Sequence, residues 1–159
     1  MGKDKLRRFA EVETFANVLQ LEEGKPLKGQ WSKEHFKNNN PVVLELACGK
    51  GEYTVNLAQL FPDKNFIGVD YKGNRIWRGA KTALEEGVDN VAFLRIQIEN
   101  LLDYFAKGEI DEIWITFPDP QPQLSRESLA AMIGYAGIMR LNRGEHSDDS
   151  MGVSAEVTL

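Results

Sequence analysis

The stretch Val42–Asp70, VVLELACGKGEYTVNLAQLFPDKNFIGVD, decides the fold of this chain. It begins with an apolar run, passes through two close glycines, Gly49 and Gly51, and continues with apolar residues at helical spacing. Pro62 ends the helical pattern, and a second apolar run leads to Asp70. This order predicts a βαβ unit with a glycine loop at the first strand-to-helix turn and a carboxylate at the tip of the second strand. Such a unit is typical of a nucleoside-cofactor site.

Strands and helices continue to alternate downstream of this unit. Helix-forming residues at 74–86 stop at Gly87, a third strand is predicted at 91–96, a further helix at 99–106, and a fourth, buried strand at 112–117. The alternation predicts a parallel sheet with helices on both faces, connected by right-handed crossovers. Ligands of such sheets bind beyond the carboxyl ends of the strands, so we expect the loops after the four strands to build the site.

The 159 residues are enough for one domain and too few for two ordinary ones. Residues 1–40 are polar and irregular, which predicts an arm or cap outside the core. Residues 41–141 are expected to form the cofactor-binding α/β domain, and 142–159 a polar tail. The three tryptophans are expected in packed positions: Trp31 against the arm, Trp77 and Trp114 in the core.

Composition excludes several classes of protein. The chain has no apolar run near the roughly eighteen residues of a membrane span and no signal-peptide pattern, so we expect a cytoplasmic protein without a membrane partner. A single cysteine, Cys48, and two histidines argue against a disulfide, a metal cluster or a nucleophile–histidine pair. The net charge of −5 disfavours binding of nucleic acid through the whole surface but leaves room for a local basic patch.

The acidic residues around the glycine loop distinguish between cofactors. Dinucleotide loops carry a third glycine near the pyrophosphate, but Thr54 stands at that position, and Glu45 and Glu52 would repel phosphates. S-adenosylmethionine fits better, because it carries an ammonium, a sulfonium and a ribose diol but no phosphate. We expect Asp70 to accept the ribose hydroxyl protons. The alternatives are that Glu45 faces solvent at a strand end and that Asp70 only caps the next helix.

The loop after the fourth strand is the expected reaction side of the site. Prolines alternate with polar residues over 117–122, so the backbone is restricted and Asp119 is held at the strand tip. No aromatic residue follows the prolines to stack on a base, as is usual for methylation of exocyclic amines. A ring nitrogen such as guanine N7 has no proton to lose and needs only alignment and a nearby carboxylate, a role that suits Asp119. The alternative is a simple turn carboxylate.

Two groups of basic residues are candidates for contact with RNA phosphates. One recurs every three residues at the start of the second helix of the α/β domain, and the other lies near the N-terminus. A solvated helix face and a solubilising terminus are the alternatives. The RNA-binding candidates are Lys72, Arg75, Arg78, Lys81, Arg7 and Arg8.

Three segments together resemble the bacterial tRNA (guanine-N7) methyltransferases. They are LELACGKGEYTVNLAQLFPDKNFIGVD, WRGAKTALEEGVDNVAFLR and DEIWITFPDPQP. The resemblance implies a Rossmann-like class I methyltransferase fold and S-adenosylmethionine-dependent methylation of N7 of a guanosine in the tRNA variable loop. It also implies cofactor contacts from Glu45, Asp70, Gln97 and Asp119, beside the loop glycines Gly49 and Gly51.

The resemblance weakens after residue 122. Members of the family have a lysine and a basic stretch where Gln123, Leu124 and Ser125 stand here, and their further strands have no counterpart that we can locate. We therefore expect a shortened or replaced C-terminal part that impairs catalysis, and an exposed strand edge that favours a homodimer. The alternatives are a non-catalytic cofactor-binding or partner-binding fragment and, with less support from the basic residues, a small-molecule methyltransferase.

Overall fold

The structure, a computed structural model, describes residues 3–115. In chain order the elements are α1 (Lys3–Val12), β1 (Val18–Leu19), α2 (Leu21–Gly24), a 3₁₀ helix (Lys25–Leu27), a π-helix (Trp31–Phe36), β2 (Val42–Leu46), α3 (Glu52–Leu60), β3 (Asn65–Val69), α4 (Gly73–Glu86), β4 (Val91–Leu94), a second 3₁₀ helix (Ile98–Asp103) and β5 (Glu112–Trp114). Among these residues, no helix has the length and apolar character that a membrane span requires.

Within residues 3–115, five parallel strands form one sheet in the order β1-β4-β3-β2-β5. The register pairs Leu46 of β2 with Val69 of β3, and Val69 with Leu94 of β4, so these three strands end level with one another. Their following loops therefore meet at one edge of the sheet. The parallel α/β architecture expected from the sequence is confirmed.

Each face of the sheet buries its own core cluster. One cluster contains Val43, Phe66 and Phe93 together with buried side chains of α1, α3 and α4. On the other face, Leu44 and Ile67 belong to a second cluster that the π-helix and the second 3₁₀ helix cover. Consecutive residues of a strand point to opposite faces of the sheet. Glu45 lies two residues after Val43 and therefore points to the same face as Val43 and α3.

Most of the predicted elements are present, and two differ. The helix expected at 74–86 ends as predicted, with Gly87 in the left-handed conformation at φ +67°. The helix expected at 99–106 is instead a six-residue 3₁₀ helix. The fourth predicted strand corresponds to β5 at the edge of the described sheet, and the side chains of β5 are half-buried or exposed rather than buried. Trp114 is 41% exposed there and does not belong to the core.

The segment before β2 is part of the core, which corrects the expectation of a peripheral arm. β1 pairs with β4, and the side chains of Val12 and Trp31 are fully buried. Trp31 donates from Nε1 to the Tyr104 carbonyl oxygen at 2.8 Å and stacks on Phe105 with ring centroids 5.2 Å apart. The predicted tail at 142–159 lies outside the described residues.

Candidate cofactor-binding site

Glu45 lies near the carboxyl end of β2 and is only 4% exposed. Its carboxylate accepts a hydrogen bond from the Thr54 hydroxyl, which is fully buried in α3. A Cβ atom at Gly68 would lie 2.9 Å from the Thr54 Oγ1, so the glycine makes room for this pair. Glu45 therefore does not face solvent, and the alternative of a solvated strand end is excluded.

The glycine loop between β2 and α3 turns through three residues with positive φ. They are Ala47 at 55°, Gly49 at 58° and Gly51 at 69°. The left-handed conformation costs roughly 1–2 kcal/mol for a residue with a Cβ, so Ala47 is held there against its own preference. Among residues 3–115, apart from the neighbours of Gly49 in the chain, no heavy atom lies within 4 Å of the position that a Cβ would take at Gly49, so these residues leave space beside the loop.

Asp70 joins the glycine loop to the start of α4. Its Oδ2 accepts the backbone N–H of Gly49 at 3.0 Å, and its Oδ1 accepts the N–H of Lys72 at 2.8 Å. The bond to Lys72 closes a turn before α4 and does not cap the helix, because Lys72 itself is the N-cap residue and its side chain makes no capping hydrogen bond. A carboxylate offers about four acceptor positions, however, so these two bonds leave capacity for hydroxyl donors. Within residues 3–115, no ion pair neutralises Asp70.

The pKa of the Cys48 thiol depends on burial and on the charges around the glycine loop. Burial raises the pKa of its thiol well above the usual value, and the negative charges of Asp70 and Glu45 raise that pKa further. The loop therefore lies in a negative field. That field opposes a pyrophosphate and favours a ligand with positive charge. Together with the hydroxyl-accepting capacity of Asp70, the site fits a cationic nucleoside ligand with a free ribose diol.

The remaining cofactor and catalytic candidates are only partly described by the structure. Gln97 follows β4, is exposed, and begins the second 3₁₀ helix, where its carbonyl oxygen accepts the N–H of Asn100 at 3.0 Å. It therefore lies at the same edge of the sheet as the glycine loop. Asp119, the catalytic candidate, lies outside the described residues.

The structure divides the basic candidates into two groups. Arg75 and Arg78 are exposed on α4, and Arg7 is exposed on α1. Lys72 is partly buried, with its amine 5.1 Å from the ring centre of Tyr71. These four remain available to a ligand.

The other two basic candidates, Arg8 and Lys81, take part in packing α1 on α4. The Arg8 guanidinium lies 4.7 Å from the ring centre of Trp77, and the Lys81 amine lies 5.1 Å from it. Glu11 completes the group by accepting from Trp77 Nε1 at 2.8 Å and pairing with Lys81 at 3.3 Å. Contacts within the protein thus account for two half-buried cations, one from each of the two basic groups in the sequence.

Two contributors to the site escaped the sequence analysis. The hydroxyl of Thr54 binds Glu45, although the sequence drew attention to Thr54 only as a missing glycine. Gly79 lets α4 approach the glycine loop, since a Cβ there would lie 2.6 Å from the Lys50 carbonyl oxygen. A glycine inside a predicted helix was the available signal for this close contact.

Comparison with known proteins identifies the relatives of this chain. A sequence model of a family described as putative methyltransferases matches residues 39–127, more than half of the chain. A protein of Christiangramia forsetii is 62% identical over 131 residues, 79% of this chain and 58% of that protein. One of Bacteroides fragilis is 50% identical over 82% of this chain and 54% of its own length. Both are named tRNA (guanine-N(7)-)-methyltransferase, and the chain spans somewhat more than half of their length.

Solved structures similar to this chain show the fold. PKMT2 from Rickettsia typhi in complex with AdoHcy matches with a TM-score of 0.52 and 23% identity, over 61% of this chain and 18% of that one. The antibiotic-resistance methyltransferase Kmr also matches with a TM-score of 0.52, at 19% identity over 63% of this chain and 55% of that one. The fold is that of the Rossmann-like methyltransferases.

Proposed function

Because the chain belongs to the family described as putative methyltransferases, we propose that it binds S-adenosylmethionine and transfers the methyl group to N7 of a guanosine in the variable loop of tRNA. One observation carries this proposal: two buried carboxylates, Glu45 and Asp70, flank a glycine loop at the level ends of two parallel strands. The printed names of the relatives from Christiangramia forsetii and Bacteroides fragilis support the choice of acceptor.

The cofactor would be held by the residues at this edge of the sheet. Asp70 would accept the ribose hydroxyls, and the open side of Gly49 would admit the cofactor beside the backbone. Glu45 contributes negative potential next to the cationic part of the ligand, and Gln97 offers an amide at the end of the neighbouring strand. Gly51 supports the loop from below by packing on Phe93, where a Cβ would lie 2.4 Å from Cε1. Bound S-adenosylmethionine supplies an electrophilic methyl group on sulfur.

The reacting atom of the acceptor needs little help from the protein. Guanine N7 attacks with an in-plane lone pair and releases no proton, so no general base is required. Positive charge develops on the base as the methyl group is transferred, and a carboxylate near it lowers the energy of that state. We assign this catalytic role to Asp119, which follows β5 in the sequence.

The exposed cations beside the cofactor edge would bind the phosphates of the RNA. Arg75 and Arg78 project from α4, and Lys72 lies at its start next to Asp70. Arg7, exposed on α1, would contribute a further cation, since α1 packs on α4. Arg8 and Lys81, also predicted to bind RNA, would act mainly by holding α1 against α4.

Two statements about the assembled protein complete the proposal. We expect the chain to act in the cytoplasm, where its tRNA substrate is found. We also expect a homodimer through β5, the edge strand of the described sheet, because the indole of Trp114 is 41% exposed there. A single monomeric species in analytical ultracentrifugation at micromolar concentration would contradict the dimer.

The direct test combines binding with turnover in the 159-residue chain. We expect calorimetry to show binding of S-adenosylmethionine, and a labelled methyl group to enter tRNA that lacks 7-methylguanosine. Asp119→Ala should abolish transfer, Asp70→Asn should weaken cofactor binding, and the exposed Glu99→Gln should change neither. Binding without any transfer would instead identify a non-catalytic cofactor-binding protein, and absence of binding would overturn the proposal.

A further inference from the structure

Arg95, the first residue after β4, connects the N-terminal segment to the cofactor edge. Its Nη1 donates to the Gln20 side-chain oxygen at 2.9 Å, and its Nε donates to the Tyr71 carbonyl oxygen at 3.4 Å. The guanidinium also lies 5.2 Å from the ring centre of Phe9 on α1. One side chain thus contacts α1, the residue before α2 and the turn that follows β3.

The contact with Tyr71 falls on a peptide group that also binds Asp70. The carbonyl of the Tyr71–Lys72 peptide accepts from Arg95, and its N–H donates to Asp70 Oδ1 at 2.8 Å. Because the peptide group is planar, fixing its C=O direction also fixes its N–H direction. A hydrogen bond at the oxygen further polarises the N–H as a donor.

The chain of hydrogen bonds then continues to the glycine loop. Asp70 Oδ2 accepts the Gly49 N–H at 3.0 Å, so three consecutive bonds lead from Arg95 to the loop. Packing supports the same arrangement, since a Cβ at Gly73 would lie 2.9 Å from Arg95 Nε. The guanidinium therefore rests directly on the backbone at the start of α4.

We propose that Arg95 is a positioning residue that holds Asp70 in its ribose-binding orientation through the Tyr71–Lys72 peptide, and that its contacts with Phe9 and Gln20 tie this orientation to the docked N-terminal segment. This inference rests on the proposed cofactor role of Asp70. It predicts that removing Arg95 changes cofactor affinity in the direction opposite to that expected from charge alone. Removing a cation near the site would strengthen binding of a cationic cofactor by charge alone. Loss of positioning weakens it.

The test uses Arg95→Gln in the full chain, with two readouts. We expect the dissociation constant for S-adenosylmethionine, measured by calorimetry, to rise about threefold to tenfold, as for the loss of one hydrogen bond. In an Asp70→Asn background the same substitution should have little further effect, because the two residues act through one path. Amide hydrogen exchange at Lys72 and Gly49, followed by NMR without ligand, should accelerate in Arg95→Gln.

Lys64→Gln is the matched control. Lys64 also lies beside an aromatic ring, 5.7 Å from the centre of Phe61, and donates a hydrogen bond, but at the amino end of β3. Lys64→Gln should leave the affinity for S-adenosylmethionine unchanged, together with the exchange rates of the Lys72 and Gly49 amides. Unchanged exchange at Lys72 and Gly49 in Arg95→Gln, or equal loss of affinity with and without Asp70, would overturn the inference. A wild-type chain that does not bind S-adenosylmethionine would overturn the proposed function, while the exchange data still decide whether Arg95 positions Asp70.

Discussion

Gly49 and Gly51 have similar backbone conformations but different neighbours. Their φ angles are +58° and +69°, in the left-handed region, so any residue with a Cβ would be strained at either position. At Gly51 a Cβ would also lie 2.4 Å from the ring of Phe93, whereas the described part of the chain leaves the space beside Gly49 open. Gly51 therefore serves the packing of the loop on the sheet, and Gly49 serves access to the loop.

Alanine substitution separates the two roles. Gly51→Ala should lower the free energy of unfolding by about 2–4 kcal/mol, from left-handed strain plus overlap with Phe93. Gly49→Ala should lower it by only about 1–2 kcal/mol, since among the described residues left-handed strain is its sole cost. Urea denaturation of both variants measures the difference. Equal losses of unfolding free energy in the two variants would show that Phe93 moves aside from the new Cβ at Gly51 without cost.

At the level of single residues, the sequence predicted the positions of the carboxylates better than their partners. Glu45 and Asp70 could be placed because each lies at the carboxyl end of a strongly apolar strand, and such ends share an edge of the sheet. The bond from Thr54 to Glu45 depends on the packing of α3 against β2, which no local pattern specifies. The same holds for Arg95, whose partners are distant in sequence.

The docking of α1 on α4 is an interaction between elements that depends on pH. The Trp77 ring contacts the cations of Arg8 and Lys81, and Glu11 binds both the indole N–H and Lys81. The hydrogen bond from Trp77, followed by the bond and charge of Lys81, holds the pKa of Glu11 below its usual value of 4.5. Because the folded pKa is the lower one, the stabilisation is complete above pH 4.5 and is lost as the pH falls through the folded pKa.

We therefore expect α1 to loosen from α4 in acid. Between pH 6 and pH 3, exchange of the Trp77 indole N–H and the α1 amides should accelerate beyond the intrinsic pH effect. Glu11→Gln should loosen α1 already at pH 7 and remove this pH dependence. The exposed Glu13→Gln should behave like the wild type. An unchanged profile in Glu11→Gln would assign the transition to another group.

Glu109 joins two further segments by a cluster of backbone bonds. Its carboxylate accepts the N–H groups of Gly29 at 2.7 Å, Trp31 at 2.9 Å and Ala106 at 2.9 Å. Glu109→Ala should lower the free energy of unfolding by about 3 kcal/mol, since charge-assisted bonds are lost together. Glu99→Ala, at an exposed position, should cost less than about 0.5 kcal/mol in the same urea titration. An equally small loss of unfolding free energy in Glu109→Ala would mean that water accepts the three backbone N–H groups in place of the carboxylate.

The elements that the sequence predicted carry an apolar run or an apolar helical repeat. β2 is a run of five buried residues, and α3 and α4 extend over nine and fourteen residues, enough for a helical periodicity to appear. β1 has two residues and Trp31 is the only buried residue of the π-helix, so neither shows such a pattern, and the sequence indicates only an arm there. β1 joins the core by pairing with β4, and the π-helix joins it through Trp31, so both depend on long-range contacts.

At the scale of the whole molecule, one parallel sheet connects stability with the cofactor edge. The strands that carry Glu45 and Asp70 are central in the described sheet and are flanked by β4 and β5. A ligand at this edge would contact only the folded chain, because the two carboxylates are far apart once the strands separate. Its binding energy therefore adds to the stability of the whole sheet.

Thermal unfolding should show this linkage. At a hundredfold excess of S-adenosylmethionine over its dissociation constant, the added stability is about 2.7 kcal/mol. For a chain of this size that corresponds to a rise in Tm of about 5–10 °C. Asp70→Asn should reduce the rise, because fewer ribose hydroxyls are bound at the same cofactor concentration. Glu109→Gln serves as the control, since it should lower Tm without ligand and keep the full rise. A rise of equal size in Asp70→Asn would place the cofactor away from Asp70, and would leave Glu45 and the open side of Gly49 without their proposed role.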